Sequence, residues 1–421
     1  MKGLLFTYAL TYGGAVVSLF NPFVGLLIYF CFAIIKPESL WYWSVPAGNY
    51  SRIVAIALLI GWAGRGFGTW NFRQGKAIVF ALLGFIGWAA VSACFAPNQA
   101  VAWHYIENLS KIVLPFLAGI TLVDSIKQLK QVAWVLALSQ GYVAYDLNRS
   151  YYAGFNRLTE VGFGGMDNNC NAIAAVTGAG LAFFLGISEK VWWRKLLAFA
   201  LAALMAHVPM FGMSRGGMLG LIVTGVVAFL LIPKRPRDYM AFALAVIIAL
   251  RLAGPSVIAR FSTTFADKSE RDASAQSRLD LWAKCWQCML DSPWVGIGPD
   301  HFPLVADQYG FTPGKRAHSV WFENGAQLGF PGVGFLMGFY GLSIWRLWLA
   351  LRRKEFADPW SAHAARMVIA ALVGFCVSAS FVTLEGLEIP YYTALIGAGA
   401  LKLVDQRQWS GDSGPLPDAA T

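Results

Sequence analysis

The sequence predicts an all-α integral membrane protein: a single polytopic unit over residues 1–421, with about 12 transmembrane helices and one large, partly helical loop at 255–317. Three observations carry this. Of the 421 residues, 57% are hydrophobic and only 13% charged, against about 25% charged in a soluble globular chain. Apolar runs long enough to cross a hydrocarbon core of about 30 Å recur along the whole length. They are continuous rather than alternating, so the spans are helices and not barrel strands. Third, the excess of basic residues behind the net charge of +10 falls in short connectors between runs, the pattern of cytoplasmic loops. That placement makes membrane lipids, and not nucleic acid, the partner implied by the charge.

Runs at 3–20, 22–36, 51–67 and 77–95 open the chain, and Trp41, Tyr42 and Trp43 suit an interfacial aromatic belt. Spans follow at 109–123, 130–147, 168–187, 196–213, 216–232, 239–254, 328–350, 361–382 and 390–404. Taken together, these runs would put the N-terminus outside. Some early runs are short, and reading one as re-entrant gives about 12 spans with both termini inside. Lys127 and Lys130 mark one cytoplasmic connector, and Lys190, Arg194 and Lys195 the next. Lys234, Arg235 and Arg237 mark a third, and Arg352, Arg353 and Lys354 a fourth. The intervening connectors, at 148–167, around 214, at 255–317 and at 383–389, then face the other side. Residues 255–317 carry seven basic and seven acidic side chains, so charge hardly constrains that long loop. Lys2 gives a weak basic start without a small-residue cleavage site, so no cleavable signal is expected. The polar stretch 405–421 reads as a disordered cytoplasmic tail.

Most of the six cysteines lie in apolar runs, as small hydrophobes do. Cys285 and Cys288 form a C-x-x-C in the large loop. An amphipathic helix explains that spacing as well as a redox or metal role does, and no second pair completes a zinc site.

Three polar clusters fall on the expected outer side. The first is Asn156-Arg157, then Gly162 to Met166, then Asp167-Asn168-Asn169. It reads as a loop entering a helix N-terminus, either a plain capped loop or an anion site. The second, Ser214-Arg215-Gly216-Gly217, interrupts an apolar stretch. It is either a turn with a snorkelling arginine or a guanidinium fork for phosphate or carboxylate. The third runs from Ser277-Arg278 and Trp282 through Gly296, Gly298, Asp300, His301 and Phe302 to His318-Ser319 and Glu323. From His318 onward a helix lying at the membrane surface is expected, leading through Pro331-Gly332 into a span. No Walker A, H-E-x-x-H or G-x-S-x-G signature is present. Asp167 with its asparagines, and Asp300 with His301, make no convincing metal site, so neither metal nor cofactor is expected.

In this order, Arg157 with Asp167-Asn168-Asn169, Ser214-Arg215-Gly216-Gly217, Ser277-Arg278 with Trp282, Gly296 with Gly298 and Phe302, and His318-Ser319 with Glu323, Gly325, Gly329 and Gly332 resemble the O-antigen ligase and polymerase superfamily of bacterial membrane glycosyltransferases. The motifs are weak singly and specific as an ordered set. Lys36-Pro37-Glu38 stands where relatives often carry Asn-Pro-His, a departure. The resemblance implies a multi-pass protein of the bacterial inner membrane with its site facing the periplasm. It implies transfer of a glycan from undecaprenyl pyrophosphate to a sugar hydroxyl of the lipid A core, without metal and with inversion. Polymerisation of lipid-linked repeats and protein O-glycosylation are the alternatives within the superfamily. A non-enzymatic flippase for a lipid-linked anion is the alternative outside it.

On that chemistry, Arg215 and Arg278 would stabilise the departing pyrophosphate through charge-assisted forks. His318 would be the general base for the acceptor hydroxyl, kept neutral by Lys315 and Arg316. Arg157, Ser214, Ser277, Asn168, Glu323 and His301 complete the expected substrate-binding set. His301 is the competing base. Capping the following helix is the bland alternative for His318, and a flippase would have no evident need of a base there.

Overall fold

The computed structural model of the chain describes residues 2–232, 273–383 and 386–404, with scattered positions between 236 and 251. Among the described residues there is no strand. The long helices are α1 (Lys2–Phe20), α2 (Pro22–Ile35), α3 (Tyr50–Gly64), α4 (Lys76–Phe95), α5 (Gln99–Leu122), α6 (Ile126–Tyr152), α7 (Asn168–Ser188), α8 (Trp192–Phe211), α9 (Arg215–Leu231), α10 (Ala273–Asp291), α11 (Val320–Arg352), α12 (Pro359–Ala379) and α13 (Glu388–Lys402). Their starts follow the capping code. Asn21, Asn98, Ser125, Asp167, Ser214, Ser319 and Asp358 each accept a hydrogen bond from the first-turn amides.

Among the described residues, eight helices are long and apolar enough to cross a membrane: α1, α2 with its continuation to Leu40, α4, α5, α7, α8, α11 and α12. Helices α3 and α9 are apolar but shorter. Helices α6 and α13 fall at expected spans without meeting that measure. The expected span 239–254 lies mostly outside the described residues, as do the connector at Lys234, Arg235 and Arg237, the loop from 255 to 272, and 405–421. Helix α5 begins ten residues ahead of the expected 109. Its first turns are polar and exposed, carrying His104 and a Glu107–Lys111 pair at 2.9 Å, so hydropathy registers only its apolar part.

Helix α7 is the hub. Sixteen of its residues are buried, half of them Ala or Gly, and it packs on α8, α12, α6 and α9. Without a hydrophobic drive between helices in lipid, small side chains let backbones close up. The α9–α12 contact shows the limit: a β-carbon on Gly220 would lie 1.7 Å from Ser378 Oγ.

Contacts gather the expected outer segments at one end of the bundle. Asn156 Nδ2 donates to Phe211 O at 2.8 Å, Asn168 Nδ2 to Gly212 O at 2.7 Å, and Lys36 Nζ to Gly164 O at 3.3 Å. The basic connectors at 127–130, 190–195 and 352–354 belong to the opposite helix ends.

Helix α11 is two helices joined at a break. Gly329 has φ 68° and ψ −173°, a conformation essentially restricted to glycine. The break leaves carbonyls without intrahelical donors, and the turn at 293–298 supplies them. Ile297 N donates to Ala326 O and Gly298 N to Gln327 O, both at 3.0 Å; Trp88 Nε1 donates to Leu328 O at 3.0 Å, and Phe330 N donates back to Pro293 O at 2.8 Å. The half-helix before the break is buried along Glu323–Leu328. It packs inside the protein, against α10 and α4.

Candidate active site

Three backbone devices build the site end of the bundle. The glycine loop closes as a tight turn, with Phe163 and Met166 exchanging backbone hydrogen bonds at 3.0 Å. Asp167 Oδ1 then caps α7 by accepting from Cys170 N at 2.8 Å. Asn171 Nδ2 reaches back to the carbonyls of Phe163, Met166 and Asp167 at 2.9–3.3 Å. The second device is the elbow between α8 and α9. Met213 takes φ 52°, and buried Ser214 Oγ caps α9 by accepting from Gly217 N at 3.2 Å. Arg215 is thereby the first residue of α9, half-buried. A β-carbon on Gly217 would lie 2.8 Å from Ala172 Cβ, so the glycine is what lets α9 meet α7 here.

The third device is α10 and the loop exit. Ser277 and Arg278 are half-buried on α10. One turn on, the Trp282 ring stacks on Phe322 with centroids 5.3 Å apart, and its Nε1 donates to Ala317 O at 2.9 Å. Phe381 links this helix to the elbow. It lies 6.1 Å from the Trp282 ring, and its Cβ would be 2.8 Å from a β-carbon on Gly216. Arg278 thus lies within electrostatic reach of His318, and Phe381 joins α10 to the elbow that carries Arg215.

His318 precedes Ser319, the N-cap of α11, and takes φ 53°. It is half-buried. Burial, then the cations Arg278 and Lys315, hold its imidazolium below the usual histidine range, while Asp167 pulls the other way. The expected influence of Lys315 and Arg316 is therefore present, but burial and Arg278 act more strongly. An imidazole so placed is neutral near pH 7 and can accept a proton.

Several expected ligands are instead committed to holding the fold. Buried His301 donates from Nδ1 to Pro299 O at 2.7 Å and accepts at Nε2 from Asn98 N at 3.0 Å. Both ring nitrogens are used, so it is a strut and drops out as base or ligand. Arg157 is clasped by Asp146 at 3.4 Å and by Ser39 O, between the rings of Tyr42 and Phe163, each 5.3 Å away. Asn168 ties α7 to the elbow, and Ser214 is a cap. Glu323 neither faces substrate space nor pairs with His318. It is fully buried, and its carboxylate takes Arg316 Nη1 at 3.2 Å, Ala317 N at 2.7 Å, Gln327 Nε2 at 3.4 Å and the Thr383 hydroxyl. Arg316 also pairs with Asp300 at 3.0 Å. Gln327 and Thr383 were not legible as site residues, because each acts through Glu323 and neither stands in a motif; Arg316 was legible as a neighbour of His318 but not as a partner of Glu323.

Among the described residues no group of three or more His, Cys, Asp or Glu side chains could hold a metal. Cys285 and Cys288 are buried against Leu281, Phe302, Ala317 and Ala326. Burial pushes both thiols up, and Cys288 Sγ donates to Tyr309 Oη at 3.1 Å. The C-x-x-C is packing on one face of α10.

Comparison with known proteins bears on this constellation. Residues 200–337 match the family model described as O-antigen ligase. Residues 1–147 match a family described as one of unknown function. An O-antigen ligase of Pseudomonas aeruginosa is 24% identical over 313 residues, which is 70% of this chain and 68% of that protein. The first match contains Arg215, Arg278, His318 and Glu323; Arg157 and Asp167 lie before it. Residues 200–337 of this multi-pass helical chain are accordingly similar to O-antigen ligases, in agreement with the resemblance carried by the ordered motifs.

Proposed function

We propose that the chain is a membrane glycosyltransferase that moves a glycan from undecaprenyl pyrophosphate to a sugar hydroxyl of the lipid A core, at the periplasmic face of the inner membrane. The observation that carries this is the half-buried His318 within electrostatic reach of Arg278 and Asp167, with His318 and Arg278 inside the residues that match the ligase family. His318 takes the proton of the acceptor hydroxyl. The acceptor oxygen bonds to the anomeric carbon as the bond from that carbon to the pyrophosphate oxygen breaks. The electron pair leaves with undecaprenyl pyrophosphate, and Arg215 and Arg278 stabilise its growing charge through fixed guanidinium donors. A single displacement of this kind inverts the anomeric centre and needs no metal. The basic connectors at the other end of the bundle support the outer sidedness.

The test is lipopolysaccharide from a strain in which His318→Ala replaces the native chain at matched expression. Ligation requires unattached glycan to accumulate on the carrier with its length distribution kept. Single repeat units on the core would instead indicate a polymerase, and unchanged lipopolysaccharide with unglycosylated protein would indicate a protein ligase. Normal transfer by His318→Ala would overturn the base assignment and leave a flippase as the better reading.

A further inference from the structure

Glu323 holds four donors on two oxygens: Arg316 and Gln327 on Oε1, Ala317 N and Thr383 on Oε2. Only an acceptor-only group satisfies that set. A glutamine would turn its NH₂ toward one pair of donors. One of these four donors is the backbone N–H of Ala317, the neighbour of His318. Its N–H is held by Glu323 at 2.7 Å and its carbonyl by Trp282 Nε1 at 2.9 Å. His318 follows directly, in a left-handed conformation that a non-glycine residue adopts only when its surroundings impose it. Arg316 extends the hold to Asp300, whose own N–H donates to Gln327 Oε1 at 3.1 Å.

We infer that Glu323 and Trp282 are positioning residues for His318, clamping the peptide before it from both sides so that the imidazole meets the acceptor hydroxyl. This rests on the assignment of His318 as the base, and replaces the expectation that Glu323 binds substrate. Trp282 joins the clamp to α10, the helix that carries Arg278, so base and phosphate-binding arginine keep one register.

The experiment uses full-length protein in detergent with lipid-linked glycan extracted from a strain lacking the chain, and with lipid A–core as acceptor. Trp282→Phe keeps the stack on Phe322 and removes only the indole N–H, so it tests the clamp where Glu323→Gln fails to fold. Both variants should lose about 10- to 100-fold in kcat, the scale of a misplaced catalytic group, with KM for the donor unchanged. In a His318→Ala background neither should reduce the residual rate further, because the effect runs through the imidazole. Wild-type kcat in Trp282→Phe and folded Glu323→Gln would overturn the clamp, as would a raised KM at unchanged kcat, the signature of substrate binding. A further multiplicative loss on His318→Ala would overturn it too. An active His318→Ala refutes the base itself; an inactive His318→Ala beside fully active clamp variants refutes the clamp alone.

Discussion

The break in α11 offers the sharpest test of how the fold builds the site. Gly329→Ala places a β-carbon 2.4 Å from Trp294 O and 2.5 Å from Pro293 O, in a conformation open to glycine. The backbone conformation alone costs about 1–3 kcal/mol in a residue with a side chain. The clash is with backbone, so the turn at 293–298 must also retreat, weakening the bonds from Ile297 N, Gly298 N and Phe330 N. Each is worth about 0.5–1.5 kcal/mol net. Losing two with the strain gives roughly 2–6 kcal/mol. A β-carbon on Gly338, on the same helix, meets nothing within 4 Å, and Gly338→Ala should be neutral or stabilising by about 1 kcal/mol through helix propensity. Thermal unfolding of the two variants in one detergent measures the difference. Transfer should fall with Gly329→Ala, because Glu323 and the start of α11 at His318 ride on the half-helix the break orients. If both variants melt together, the reading of the break as a fixed joint is wrong.

Arg215→Lys should lose ligation although charge is kept, since a single ammonium cannot replace the planar fork; transfer at the wild-type rate would refute the role. Arg278→Ala removes a cation that depresses His318. The neutral base is available above the depressed value and lost as pH falls through it, so the acid limb of residual activity should move to higher pH, and Asp167→Asn should move it lower. His301→Ala breaks the link between Asn98 and the 298–301 turn. It should cost about 1–3 kcal/mol of stability while the folded fraction keeps its kcat. Chelator should leave transfer by purified protein intact; inhibition by EDTA reversed by a divalent ion would require a metal site that the described residues do not offer.

Local chemistry made the elements legible. Continuous apolar runs dictate helices because lipid offers no partner to a bare backbone group. Asp167 and Ser214 announce helix starts because a short oxygen-bearing side chain before an apolar run satisfies the first-turn amides. Basic connectors on alternate loops, and the nearness of Lys315 and Arg316 to His318, are read along the chain. What a side chain spends its hydrogen bonds on is not. Arg157, His301 and Glu323 carry the residue types of a substrate site. Only the packed structure shows that Asp146 and Ser39, Pro299 and Asn98, and Ala317 with Thr383 have already taken them. Gln327 and Thr383, and the pairing of Arg316 with Glu323, were silent for the same reason: their significance lies in one buried carboxylate. Tertiary structure decided which polar groups satisfy one another, because a buried polar group must find its partner in space, wherever that partner lies in the sequence.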